Sequence, residues 1–294
     1  MRALSNDFLD ELMDNSKQFH ELLEIVRSDD TLDLELRGDN CTIYYRGGKL
    51  LSFAEGKKKL NGIDKNYVKR SAAPMEAEWV NIREYIAWGK QEINYYVQNG
   101  KNHLGEKEIQ QMIVHENNYS PFANDTDFFI VDMEYQDGSD RRFDLVALQW
   151  NSNSTARRKG SARLYVIEVK QGFGTVRSVS GSGLKKHLDD FKNFAHDTTA
   201  FRKDMIKVFQ QKFELGLFRG VDNLKNKILH LNVDDTIGFA CIMANYKPAS
   251  KELINELKEI DECQFFTSSL MGYGLYSKFL VGKEKVIKML GNED

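Results

Sequence analysis

The chain reads as an α/β protein, with a central mixed β-sheet flanked by helices and an N-terminal helix plus β-hairpin or meander module ahead of it. Three observations predict this. Apolar, β-rich runs at 128–135, 143–148 and 164–170 follow one another closely, as neighbouring strands do. Helix-period segments at 184–195 and 251–260 then alternate with strand-like runs at 236–244 and 263–267, the rhythm of an α/β core. Residues 1–74 carry a pattern of their own, which predicts a small module there and the larger domain over 75–294.

Taken in order, Phe8, Leu12, Phe19, Leu22, Leu23 and Val26 approximate helical spacing, so the first 30 residues are expected to form an amphipathic helix. Short β segments follow at 32–36, 41–45 and 50–53. Gly38-Asp39-Asn40 and Gly47-Gly48 separate them, the second pair reading as a two-residue hairpin turn. The lysine-rich stretch 56–67 reads as loop. Pro74 sits where a helix would start, and 76–97 predicts a long helix bearing Trp79, Ile82, Tyr85, Ile86, Ile93 and Tyr96, with its aromatic residues in the core. A short helix around Glu106 precedes the strand at 128–135. Glycines and serines from 172 to 183 predict a flexible connection after the third strand, and 199–215 a further helix.

The chemistry is carried by charges inside two of the strands. Phe143-Asp144-Leu145-Val146 and Val166-Ile167-Glu168-Val169-Lys170 both place ionisable groups in apolar runs. An unpaired charge buried in a sheet is costly, so such groups persist mainly when they hold each other, a metal or a substrate. Side chains alternate along a strand, so Tyr165, Ile167 and Val169 line one face while Glu168 and Lys170 share the other. Glu-x-Lys also occurs at Glu55–Lys57 and Glu256–Lys258, where it reads as a solvated pair. Only the copy at 168–170 lies in an apolar strand and follows a strand that bears Asp.

Arg142-Phe-Asp144-Leu, a hairpin, then Val166-Ile-Glu168-Val-Lys170 resembles the PD-(D/E)XK nuclease superfamily, the restriction-endonuclease-like fold. Glu106-Lys-Glu-Ile109-Gln-Gln-Met-Ile113 is similar to the short helix that precedes that core. The resemblance covers residues 103–195 and extends toward 280; no proline precedes Asp144, and 149–163 is longer than a tight hairpin needs. It implies a Mg²⁺-dependent nuclease, with Mn²⁺ as substitute, acting on DNA or, as the second choice, RNA. Asp144 and Glu168 would be metal ligands with the Val169 carbonyl as a third. Lys170 would orient water and offset developing charge, and Glu106 would complete or adjoin the shell, with Glu108 as its alternative. Hard oxygen donors suit Mg²⁺ or Mn²⁺, whereas zinc favours His and Cys. A non-catalytic nucleic-acid or partner-binding protein on the same fold is the competing class.

The 294 residues are 41% hydrophobic and 29% charged, the composition of a soluble globular chain, and the longest apolar stretch, 237–244, is too short to span a bilayer. The start of the chain turns acidic at once, unlike a signal peptide. Cys41, Cys241 and Cys263 lack metal-ligand spacing and predict reduced thiols and a cytoplasmic setting. His187 and His196 read as helix-surface residues. A net charge of −3 argues against a protein that coats nucleic acid, but a local basic groove is compatible with it. Arg141 and Arg142 before the first site strand, with Arg157, Arg158, Lys159 and Arg163 in the hairpin, are the expected backbone grip at the mouth of the site. Lys57–Lys59, Lys65, Lys69 and Arg70 form a second, weaker patch. A homodimer or a partner protein stays open, and a defence or mobile-element context is what the family's habits imply.

Overall fold

The computed structural model describes residues 1–57, 59–70, 75–99, 105–138, 141–171, 183–244, 250–267 and 273–291, with the side chains of 154, 156 and 158 excepted. Pro74, Lys58 and the connection 172–182 lie outside the described residues. The chain divides into two compact units, 1–115 with 204–218, and 116–203 with 219–294. The boundary expected at residue 74 is corrected by this division.

The first unit opens with α1 (Asn6–Met13) and α2 (Gln18–Ser28) where one helix was expected. Asp14 explains the break. Its carboxylate accepts from both the backbone N–H and the hydroxyl of Ser16, a local turn that competes with helix. Strands β1 (Leu32–Leu36), β2 (Asn40–Tyr45) and β3 (Gly48–Ala54) form an antiparallel meander. The β2–β3 turn is Arg46-Gly47, one residue earlier than expected, since Tyr45 already pairs with Gly48. Both turn residues have positive φ, 50° and 75°, as a two-residue type I′ turn requires.

The long helix begins later than the sequence suggested. A 3₁₀ turn at Trp79–Asn81 leads into α3 (Ile82–Asn99), and α4 (Gly105–Val114) follows. Gly89 lets α3 approach β3, because a Cβ there would meet Leu50 Cδ1 at 2.4 Å. This contact draws α3 into the N-terminal unit. Residues 204–218 return to the same unit through polar anchors. The Gln211 side chain exchanges hydrogen bonds with the Leu4 backbone, and Lys212 donates to Glu35 Oε1 at 2.9 Å with both side chains fully buried.

The second unit begins at Glu116, inside the π turn His115–Tyr119, and holds the larger, mixed sheet. Its strands are β4 (Phe128–Gln136), β5 (Arg142–Gln149), β6 (Ser161–Gln171), β7 (Asn232–Val233), β8 (Gly238–Ala244), β9 (Gln264–Phe266) and β10 (Leu280–Gly282). Their order is β10-β9-β8-β6-β5-β4, with β7 beside the start of β6. Strands β4, β5 and β6 are antiparallel neighbours, whereas β8 runs parallel to β6 and β9 parallel to β8. The parallel pairs require crossovers, which α6 (Leu184–Phe194), α7 (Thr199–Glu214), the short α8 (Lys225–Ile228) and α9 (Lys251–Lys258) occupy. Helix α5 (Ser154–Lys159) fills the overlong β5–β6 connection, and α10 (Lys283–Gly291) closes the described chain.

Removing Lys212 leaves the buried Glu35 with Arg37, at 3.4 Å, as its nearby cation. Lys212→Met is expected to lower unfolding stability by up to about 3 kcal/mol in urea titration. The double variant Glu35→Gln/Lys212→Met should recover most of that loss. Equal stability of wild type and Lys212→Met would show that the pair does not anchor residues 204–218.

Candidate active site

The site is built at one end of the β5–β6 pair. The pairing stops at Leu145–Ile167. One further step in the same register sets Asp144 opposite Glu168, where Cβ atoms are ~5 Å apart on one face of the sheet. Instead of extending the ladder, the Val169 N–H donates to Asp144 Oδ2 at 2.7 Å. A strand residue's N–H and C=O leave on the same edge, so the Val169 carbonyl faces the side on which Asp144 stands. Lys170 donates to Glu168 Oε2 at 3.2 Å, with Glu168 wholly buried and Lys170 3% exposed. Asp144 keeps part of its surface exposed. Asp144, Glu168 and Lys170 are thereby brought together, with Val169 beside them.

The electrostatics show two carboxylates in excess of the positive charge available. Burial pushes the Glu168 carboxyl up to about 7, against the pull of the Lys170 ammonium and of hydrogen bonding from Asp144. Burial and then the Glu168 charge hold Asp144 well above the ordinary carboxylate range, opposed by Lys170 and the Val169 N–H. Glu168 Oε1 is buried and has no hydrogen-bond partner among the described residues. A hard cation would satisfy that oxygen and relieve both carboxylates, and the oxygen-only donor set suits Mg²⁺ or Mn²⁺. Among the described residues no three His, Cys, Asp or Glu side chains already converge as a metal cluster.

Two neighbours went unread in the sequence. His187, on α6, is corrected from a surface residue: its ring is 18% exposed and Nδ1 lies 3.3 Å from Glu168 Oε2. Burial and the Lys170 ammonium hold this imidazole below its usual range. Its position one residue before Leu188 and three after Leu184, both buried, places it at the edge of the helix's apolar face, and that spacing was the available signal. Glu134 on β4 lies between the Met133–Leu145 and Tyr135–Phe143 pairs, hence opposite Asp144 in register. Its φ is +58°, unusual for a non-glycine residue inside a strand, and its charge adds to the upward push on Asp144. No sequence pattern announced it.

Glu106 lies on the first turn of α4 and belongs to the first unit, whereas the other three expected groups belong to the second. Its alternative Glu108 accepts from Arg46 Nε at 2.7 Å, an ion pair within the first unit.

The expected basic grip is corrected. Because β5 and β6 are antiparallel, their connection joins the strand ends opposite to Asp144, Glu168 and Lys170. From Arg163 to Glu168 is five residues, about 17 Å along the strand. Arg157 is buried between the rings of Phe129 and Trp150, 4.8 Å from each, and donates to the carbonyl of Thr126. Burial lowers its pKa to about 10. Arg163 lies over the Tyr165 ring and donates to the Ile237 carbonyl. Lys159 is exposed but at that far end, and the Arg158 side chain lies outside the described residues. Arg141 pairs with Asp137 at 2.7 Å beside the Phe194 ring. Arg142, exposed and two residues from Asp144 on the same strand face, is the basic residue positioned at the site.

Comparison with protein-family models, curated proteins and solved structures finds no match. The resemblance therefore rests on the motif residues and their geometry. Among the described residues no helix is long and apolar enough to cross a membrane.

Glu168 has a folded value above its ordinary 4.5, so its stabilising contribution is complete below that pH and is lost as pH rises through about 7. The stability of Glu168→Gln relative to wild type should therefore rise between about pH 5 and pH 8, by on the order of 3 kcal/mol, in chemical denaturation without divalent metal. A pH-independent difference would show that the crowded carboxylates are not strained in this way. Arg157→Met should cost on the order of 2 kcal/mol of stability and leave unchanged any affinity the protein has for nucleic acid. A selective loss of affinity would restore the basic-grip role.

Proposed function

We propose that the protein is a metal-dependent phosphodiesterase acting on nucleic acid, with DNA as the first substrate to test. The observation that carries this reading is the Asp144–Glu168 pair, two carboxylates opposed on neighbouring strands with one buried oxygen unpartnered and a lysine ammonium alongside. The order of elements in the second unit supports it. Three antiparallel strands are followed by a helical crossover, α6 to α8, and a strand parallel to the third, which agrees with the resemblance.

Each residue has a definable task. Asp144 and Glu168, with the Val169 carbonyl, would present oxygen ligands at one end of the β5–β6 pair. Bound Mg²⁺ or Mn²⁺ supplies polarisation of a phosphoryl oxygen and a more acidic water. Lys170 holds the Glu168 carboxylate in place and sets a positive charge where a phosphorane-like transition state gathers negative charge. An ammonium that is donating to a carboxylate has no lone pair to offer, so in this arrangement it stabilises charge and orients water. Arg142 stands exposed at the same strand end, placed to meet a substrate phosphate. His187 adds its ring to the wall that buries Glu168.

Purified protein incubated with plasmid, linear duplex, single-stranded DNA and RNA should cleave at least one of them with Mg²⁺ or Mn²⁺ and none with EDTA. Asp144→Asn and Lys170→Met should each lose on the order of 100-fold or more in rate while retaining substrate binding. Glu106→Ala is the arm that tests the fourth position of the resemblance. Cleavage that survives chelation and Asp144→Asn, or no cleavage of any substrate by the folded wild type, would sink the proposal.

A further inference from the structure

The ligands assigned to the Asp144–Glu168 site offer only oxygen, and His187 adds a nitrogen to it. Leu184 and Leu188, both buried, lay α6 against β6 and fix the place of the histidine between them. Its Nδ1 stands 3.3 Å from Glu168 Oε2. Two atoms here are buried without a hydrogen-bond partner among the described residues, Glu168 Oε1 and His187 Nδ1. The approach of Nδ1 to Oε2 therefore lacks the alignment of a hydrogen bond, and Oε2 already accepts from Lys170 at 3.2 Å. Either tautomer is left in deficit. A protonated Nδ1 has no acceptor, and a bare Nδ1 turns its lone pair toward a carboxylate.

A cation between the two groups would satisfy both atoms. Neighbouring ligands of an octahedral ion, with bonds a little over 2 Å, stand about 3 Å apart, close to the separation of Nδ1 and Oε2. Without an ion the groups meet only in pairs, Asp144 with Glu168 and Glu168 with His187. Burial and the Lys170 ammonium hold the imidazole below its usual range, so near neutral pH it carries a lone pair and no charge of its own. Cys241 on β8 stands in register with Glu168, but burial holds its thiol well above the usual range, so it adds no thiolate. The donor set is then two carboxylates and one imidazole. Mg²⁺ favours oxygen alone, whereas Mn²⁺ takes the same carboxylates and, as a first-row transition ion, gains from the nitrogen. We propose that His187 Nδ1 is a ligand of the cation held by Asp144 and Glu168, and that it selects Mn²⁺ over Mg²⁺. This rests on the reading of that pair as a metal site.

Full-length protein at about pH 8, above the Glu168 value, is titrated with Mn²⁺ and with Mg²⁺ by calorimetry. The Mn²⁺ complex is then examined by electron spin-echo envelope modulation. Wild type should bind Mn²⁺ at least roughly tenfold more tightly than Mg²⁺ and show modulation from a coordinated imidazole nitrogen. His187→Gln should lose the modulation and roughly tenfold in Mn²⁺ affinity, with Mg²⁺ affinity changed by less than about threefold. Circular dichroism verifies that the variant is folded, and the wild-type spectrum tests the ligand without any variant. Bound Mn²⁺ without nitrogen modulation, modulation that persists in His187→Gln, or equal weakening of both ions would overturn the role of His187 and leave the carboxylate site standing. No binding of either ion up to about 10 mM would remove that site and this inference together.

Discussion

The second unit is organised around a conflict of charge. Asp144 and Glu168 face each other across two neighbouring strands of a largely apolar sheet, with the Lys170 ammonium beside both. Desolvation penalises an isolated carboxylate, and a second one beside it adds repulsion, so both acids are pushed toward their neutral forms. Apolar residues there would avoid both penalties, and Glu168 Oε1 is buried without a hydrogen-bond partner among the described residues.

The first unit shows what the structural solution looks like. Strand β1, Leu32-Asp-Leu-Glu-Leu36, has the same signature of charges in an apolar run. There Glu35 accepts from Lys212 at 2.9 Å and lies 3.4 Å from Arg37, so two cations flank it, with the buried Asp33 two residues away on the same strand. At Glu168 the lysine that donates to it has a second carboxylate, Asp144, beside it on the neighbouring strand.

That contrast also explains how far the sequence could be read. The β-rich runs, the helical periods and the alternation that keeps Glu168 and Lys170 on one face were legible, because they depend on neighbours along the chain. Asp144 and Glu168 were legible as candidates because each places a charge in an apolar strand run, although the long β5–β6 connection left their register open. Lys212 could not be matched to Glu35 in advance, since 177 residues separate them. The basic residues of the β5–β6 connection were misplaced for a geometric reason: nearness in sequence to both site strands puts a hairpin loop at the strand ends farthest from residues 144 and 168. His187 was hidden because a lone histidine on an amphipathic helix gives no sign of which sheet residue it will meet.

Glu134 carries the argument one step further. A left-handed residue within a strand is cheaper as glycine, and non-glycine residues held in such conformations cost on the order of 1 kcal/mol or more. The regular pairs on either side, Met133–Leu145 and Tyr135–Phe143, leave little freedom to relax it, and the stacked Tyr135 and Phe143 rings lock the second of them. A third acidic residue is thus held, at the expense of backbone strain, opposite an aspartate that is already crowded. Repulsion and strain acting at one position oppose folding together, which is the reverse of what packing alone would select. The same end of the sheet also exposes Arg142 and keeps Asp144 within reach of solvent. Concentrated acidity, local strain and a partly exposed aspartate thus meet at one end of the β4–β5–β6 strands, where packing alone does not account for the choice of residues.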